Sequence, residues 1–169
     1  MQTALPNCIG FPPSINEHST YLILGSMPGV TSLAHQQYYA HPQNRFWPLM
    51  ALLLTGEAKP PLHYDDRLAL LLRHRIALWD SIDTCSRTGS LDTAIHNIEA
   101  NDFNLLLASY PQIHTICFNG AKSFQIFKKY NVRLLERNDI KFYPLPSTSP
   151  ANARWKLDML FDAWQKAFL

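Results

Sequence analysis

Apolar and polar positions follow two rhythms along this chain. Tyr21-Leu22-Ile23-Leu24 is a short unbroken apolar run that stops at Gly25, the mark of a buried strand entering a glycine turn. Over 46–54, by contrast, Phe46, Trp47, Leu49, Met50, Leu53 and Leu54 populate one broad face of a helix, which Gly56 ends. Tyr64 to His74 carries Leu68, Leu71 and Leu72 at helical spacing, with Asp65 and Asp66 where the helix dipole favours negative charge. Ile76 to Asp80 reads as the next strand. Leu91 to Ile95 reads as a short helix or turn, and Phe103 to Tyr110 as a helix broken by Pro111.

Ile113 to Phe118 reads as a third strand ending at Asn119-Gly120. A helix follows over 123–130, and Lys141-Phe142-Tyr143 makes a fourth strand. The final helix is expected to begin with Ser149 as N-cap and Pro150 at its first position. Its apolar stripe is Leu157, Leu160, Phe161, Trp164 and Phe168. Residues 1–18, with Pro6, Pro12 and Pro13, read as an irregular lead-in, and Phe11 as its anchor against the core. Strands alternating with helices predict one parallel sheet with helices on both faces. In such a fold ligands bind beyond the carboxyl ends of the strands, so Gly25-Ser26, Asp80-Ser81, Asn119-Gly120 and 144–152 should converge on one rim.

Composition narrows the picture without deciding it. The chain has 169 residues, 47% apolar and 17% charged, which predicts one domain over 1–169 that folds alone. A net charge of +2 is too weak to argue for nucleic acid by itself, although Arg45, Arg154 and Lys156 can form a local basic rim. The three cysteines, Cys8, Cys85 and Cys117, lack the spacing of a disulfide framework, a zinc site or an iron–sulfur site. The start of the chain lacks the pattern of a secretory signal, and no apolar stretch reaches about 18 residues. The expectation is a cytoplasmic monomer without membrane contact, metal or cofactor.

The candidate chemistry lies in two distant loops. Gly25-Ser26-Met27-Pro28-Gly29 gives backbone room for a close ligand, but it is neither a Walker loop nor a dinucleotide fingerprint. The nearby string from Tyr38 to Trp47 holds an amide, Asn44, that can orient water through its oxygen and donate through its nitrogen, or can cap the helix after it. Tyr38 and Phe46 are candidates to stack on an everted base, His41 and Arg45 to meet phosphate. Asn119 can pair with a base edge showing one acceptor beside one donor; a turn-forming Asn-Gly is the competing account. Ser147, Thr148, Ser149, Pro150 and Asn152, ahead of the expected helix, suggest a phosphate clamp. Asp80 and Asp83 offer a general base to a rival small-molecule hydrolase.

Four segments together resemble the uracil-DNA glycosylase superfamily: Leu24 to Gly29, Tyr39 to Trp47, Phe118-Asn119-Gly120 and Leu145 to Asn152. The strongest similarity is to its hypoxanthine-DNA glycosylase branch. The His-Pro-x-Asn-Arg-Phe-Trp string is the most specific part, and mismatch-specific uracil glycosylases share it. The resemblance implies a three-layer αβα fold with a central four-stranded parallel sheet. It also implies excision of a deaminated base from DNA without cofactor or metal.

Two departures bear on the substrate. Met27 and Leu145 stand where uracil-cleaving relatives carry polar catalytic groups, as in the hypoxanthine branch, where the Asn of the string takes over. Carried across, Asn44 is catalytic, Phe46 stacks on the base, Asn119 reads it with Gly25, Ser26, Met27 and Tyr38 around it, and the loop over 146–152 presses into the duplex. The substrate expected is DNA containing deoxyinosine. The alternatives are a uracil or mismatch glycosylase, and a DNA- or nucleotide-binding module without catalysis.

Overall fold

The computed structural model describes residues 7–168. Its centre is a four-stranded parallel sheet in the order β3-β2-β6-β7, formed by β2 (Tyr21–Gly25), β3 (Ile76–Asp80), β6 (Thr115–Asn119) and β7 (Lys141–Leu145). The apolar run at 22–24 is wholly buried because both faces of the sheet are covered. Pro144 is accommodated inside β7 because that strand is an edge of the sheet, where a missing N–H breaks no ladder. The opposite edge, β3, is covered by the lead-in: Ser14 and Leu78 exchange two backbone hydrogen bonds of 2.9 Å. Of the lead-in expected over 1–18, residues 1–6 lie outside the described residues; the rest holds a short strand at Cys8–Ile9 and is fixed in place at Ser14.

Side chains alternate between two cores, as strand geometry requires. Ile23, Leu78 and Cys117 face one layer, made by α2 (Phe46–Thr55), α3 (Tyr64–Arg73) and α6 (Leu157–Trp164), with Phe46, Met50, Leu71 and Trp164 packed between. Leu22, Leu24, Ala77, Ile116 and Phe118 face the other layer, made by α4 (Phe103–Ser109) and α5 (Ala121–Tyr130). This is the expected three-layer αβα arrangement. Gly56 ends α2 at φ +83°, where a side chain would be strained.

Three elements depart from the sequence reading. A second, antiparallel sheet joins β1 (Cys8–Ile9), β4 (Ile82–Ser86) and β5 (His96–Ala100), setting Cys8 opposite Cys85 as free thiols. A short helix, α1 (Val30–His35), follows the first glycine turn. The last helix begins at Leu157, not at Ser149; the segment between is a set of turns.

Candidate active site

The four parallel strands end in a row. Gly25 pairs with Asp80 on one side, Asn119 pairs with Leu145 on the other, and Leu24 is in register with Phe118 one step before. Gly25 leaves a gap in that row. A Cβ there would stand 2.5 Å from Asp80 Oδ1 and 3.1 Å from the Tyr39 hydroxyl, so only glycine admits both groups.

Asn119, buried at the end of β6, is held at both ends of its amide. The Thr148 backbone N–H donates to its Oδ1 at 2.9 Å, and its Nδ2 donates to the Thr148 hydroxyl at 3.0 Å. Because a backbone N–H can only donate, the oxygen and nitrogen of this amide are identified without ambiguity. One lone pair on the oxygen and one hydrogen on the nitrogen remain, an acceptor beside a donor.

Asn44 sits half-buried before α2. Its Oδ1 accepts from the Phe46 backbone N–H at 2.9 Å and from the Thr148 hydroxyl at 2.8 Å. Both lone pairs of that oxygen are therefore occupied. Nδ2 has no partner among the described residues, so the amide presents a donor. Arg45, not Asn44, is the N-cap of α2; the Asn44 oxygen, one residue earlier, still accepts from the first N–H of the helix, and the nitrogen is available. The expectation that its oxygen would hold water is corrected accordingly.

The expected stacking rings are placed differently. Phe46 is wholly buried, and Tyr39 covers it with ring centroids 3.9 Å apart and planes 25° from parallel. Tyr38 is buried too, donating its hydroxyl to the Pro12 carbonyl at 3.0 Å. Tyr39, at a backbone φ of +55°, is part-buried: its ring lies 6.3 Å from that of Tyr38 and its hydroxyl is buried. Of these three rings it alone keeps some solvent exposure. The sequence string contained it, but nothing in the string says which of two adjacent tyrosines the core takes.

Beside the gap lies an ionisable group. Asp80 is buried, and neither its Oδ2 nor the Tyr39 hydroxyl has a hydrogen-bond partner among the described residues. Burial pushes the Asp80 carboxyl up to about 7; the Arg87 guanidinium opposes the shift and Asp92 adds to it. Burial likewise raises the Tyr39 phenol far above its ordinary value. Ser26, half-buried, donates to Asp92 at 2.7 Å. Asp83 is exposed and lines a shallow hollow with Trp79, Asn101 and Tyr110, so the pair considered for a hydrolase does not come together.

The remaining expected contacts divide by exposure. Met27 is buried against Cys8, Ile82, Cys85, Ile95 and Ile126 in the core of the second sheet, so it does not line the rim. Arg45 turns Nη2 inward, donating to the carbonyls of Ser149 at 2.5 Å and Asn152 at 3.0 Å, and so ties the loop. Thr148 is fully buried and is no phosphate ligand. His41 is exposed, while Ser147, Ser149, Pro150 and Asn152 are half-buried on the loop. No helix starts there, so its dipole contributes nothing. Ser147 Oγ instead accepts from the Ser149 N–H, and Ser149 Oγ from the Ala151 N–H.

The fold and site thus define a three-layer αβα protein with a rim of oriented amides and one buried carboxyl at the strand ends. A family model described as the Uracil DNA glycosylase superfamily matches residues 12–168. The chain belongs to that superfamily. It is 38% identical over 159 residues to a hypoxanthine DNA glycosylase of Methanosarcina barkeri (strain Fusaro / DSM 804), covering 94% of this chain and 96% of that one. It is 37% identical, with the same coverage, to a hypoxanthine DNA glycosylase of Methanosarcina acetivorans. A solution NMR structure from Methanosarcina acetivorans, provisionally assigned as a uracil DNA glycosylase, superposes with a TM-score of 0.79 at 36% identity, covering 95% of each chain.

Proposed function

We propose that this protein is a monofunctional DNA glycosylase, a single-domain cytoplasmic monomer that excises hypoxanthine from DNA and leaves an abasic site. Two relatives of that name, similar over nearly the whole chain, support the activity. The observation that carries the base assignment is the fixed Asn119 amide. Hypoxanthine shows O6 as acceptor next to N1–H as donor, and the free N–H and lone pair of Asn119 meet them in that order. Adenine shows the reverse order. Reading it would require the amide to turn over, setting its NH₂ against the Thr148 backbone N–H at the cost of that bond.

The nucleotide is turned out of the stack, which costs a few kcal/mol and less when it is mispaired. Its base then stacks on Tyr39, the part-exposed ring backed by Phe46, a contact worth about 1–3 kcal/mol. As the C1′–N9 bond breaks, its electron pair passes to the purine and charge builds on O6. The Asn119 N–H bond to O6 strengthens as that happens, which is stabilisation specific to the transition state. Water held at its oxygen by the Asn44 N–H adds through its second lone pair to C1′ of the sugar cation. The proton it sheds returns to the departing base or to solvent. The exposed residues of the 41–43 and 149–154 turns meet the duplex around the everted nucleotide.

A panel of duplexes carrying one uracil, hypoxanthine, xanthine or adenine tests this reading. Hypoxanthine is expected to give abasic product fastest, with adenine untouched. Uracil offers the same acceptor and donor as hypoxanthine, so faster release of uracil would move the assignment to the pyrimidine. Binding without abasic product from any duplex would remove the enzyme altogether.

A further inference from the structure

Thr148 touches neither solvent nor any surface a ligand reaches, yet it bonds to both amides of the site. Its hydroxyl accepts from Asn119 and donates to Asn44, so the hydrogen bonds run in one direction from the reading amide to the amide facing the sugar. Backbone N–H groups anchor both ends of that run, at Thr148 for Asn119 and at Phe46 for Asn44. Its carbonyl accepts from the Arg45 N–H at 3.1 Å, so main chain as well as side chain joins the second loop to the start of α2.

Resting on the glycosylase reading above, we propose that Thr148 is a positioning residue for excision, its hydroxyl fixing the Asn44 and Asn119 amides at one relative distance and orientation. Three features make the hydroxyl specific to the task. A serine or threonine supplies one acceptor and one donor at a single atom on a side chain short enough to stand between the two amides. Each amide retains one backbone anchor without it, so its loss loosens both groups without releasing either. Full burial excludes a direct contact with DNA.

The consequence separates rate from recognition. Thr148→Val preserves shape and the backbone N–H that identifies the Asn119 oxygen, but leaves the Asn119 nitrogen and the Asn44 oxygen one bond short. Displacing an oriented group by a fraction of an ångström to one ångström costs up to about 100-fold in rate. Discrimination against adenine, which rests on the backbone bond, persists.

The test is single-turnover excision from a hypoxanthine duplex by the full chain, with duplex affinity and thermal melting measured in parallel. Thr148→Val is expected to slow excision by about 10- to 100-fold, with duplex affinity and refusal of adenine unchanged, and Thr148→Ser to recover most of the rate. Because Thr148 acts through Asn44, combining Thr148→Val with Asn44→Ala is expected to lose far less than the product of the two single losses. Parental rates in Thr148→Val, equal losses in Val and Ser, or fully multiplicative losses overturn the proposal. Should Thr148→Val fail to fold, Thr148→Ala carries the same comparison. A parent inactive on every duplex defeats the glycosylase reading and this proposal together; an active parent with an unaffected Thr148→Val defeats this proposal alone.

Discussion

Gly25 and Asp80 are paired across β2 and β3, and Asp80 Oδ1 lies 2.5 Å from the point where a Gly25 Cβ would stand. The glycine is therefore required by the carboxyl beside it and by the Tyr39 hydroxyl above it, not by its own backbone angles. Gly25→Ala is expected to force Asp80 and Tyr39 aside. Overpacking of this kind costs about 1–3 kcal/mol of stability, readable in a denaturant melt, and excision should fall further than stability because the ring that receives the base moves. An alanine variant with parental stability and rate would contradict the packing.

Asp80 should give the fold a pH dependence of definite sign. Its carboxyl titrates near 7 in the folded chain against an unfolded value of about 3.9. Between those values the folded state binds the extra proton, so this group's contribution is fully present below about pH 4 and is lost as pH rises to about 7. Asp80→Asn removes the titration. The variant is expected to match the parent at low pH and to exceed it by about 2–4 kcal/mol at pH 8, measured as the difference between melts across the range. A difference that does not change with pH would contradict the burial of an unpartnered carboxyl.

In the proposed mechanism Tyr39, the part-exposed ring of the Tyr39–Phe46 stack, receives the base. Tyr39→Ala is expected to weaken binding of the everted nucleotide by about 1–3 kcal/mol, seen as a raised half-saturating duplex concentration. Tyr39→Phe removes a buried hydroxyl that has no partner among the described residues and is expected to hold or raise stability. Weaker binding in Tyr39→Phe than in Tyr39→Ala would contradict the role of the ring.

The two arginines near the second loop should behave differently toward salt. Arg154 is exposed, whereas Nη2 of Arg45 is tied to two loop carbonyls. Arg154→Ala is expected to reduce the slope of log affinity against log salt by about one. Arg45→Ala is expected to weaken binding by loosening the loop, with the slope unchanged. Equal slope changes would place Arg45 on phosphate.

The sequence showed the parallel sheet and its helices because each buries a long periodic apolar face. It could not show β5, whose residues His96 to Ala100 are mostly exposed and carry no alternating pattern. Nor could it show α1, of whose residues only Ser32 is buried. Ser149-Pro150 is a good local helix start, yet the last helix begins at Leu157. Arg45, 104 residues before Ser149, holds the segment as turns instead. The same kind of distant contact decided the site. Asn44 and Asn119 were readable as amides in the right strings, but their free atoms depend on Thr148, which local sequence suggested only as a phosphate ligand. Nor does any pattern announce that Tyr38 is buried while Tyr39, at a positive φ, keeps some exposure.

In the proposed mechanism the Asn44 amide serves bond cleavage and not binding. Its most direct test is single-turnover excision from a hypoxanthine duplex by the parent and by Asn44→Ala, with duplex affinity measured alongside. The account expects the variant to bind the duplex as the parent does and to lose about 2 kcal/mol or more of transition-state stabilisation, roughly 30-fold in rate. A folded Asn44→Ala that releases hypoxanthine at the parental rate would contradict it.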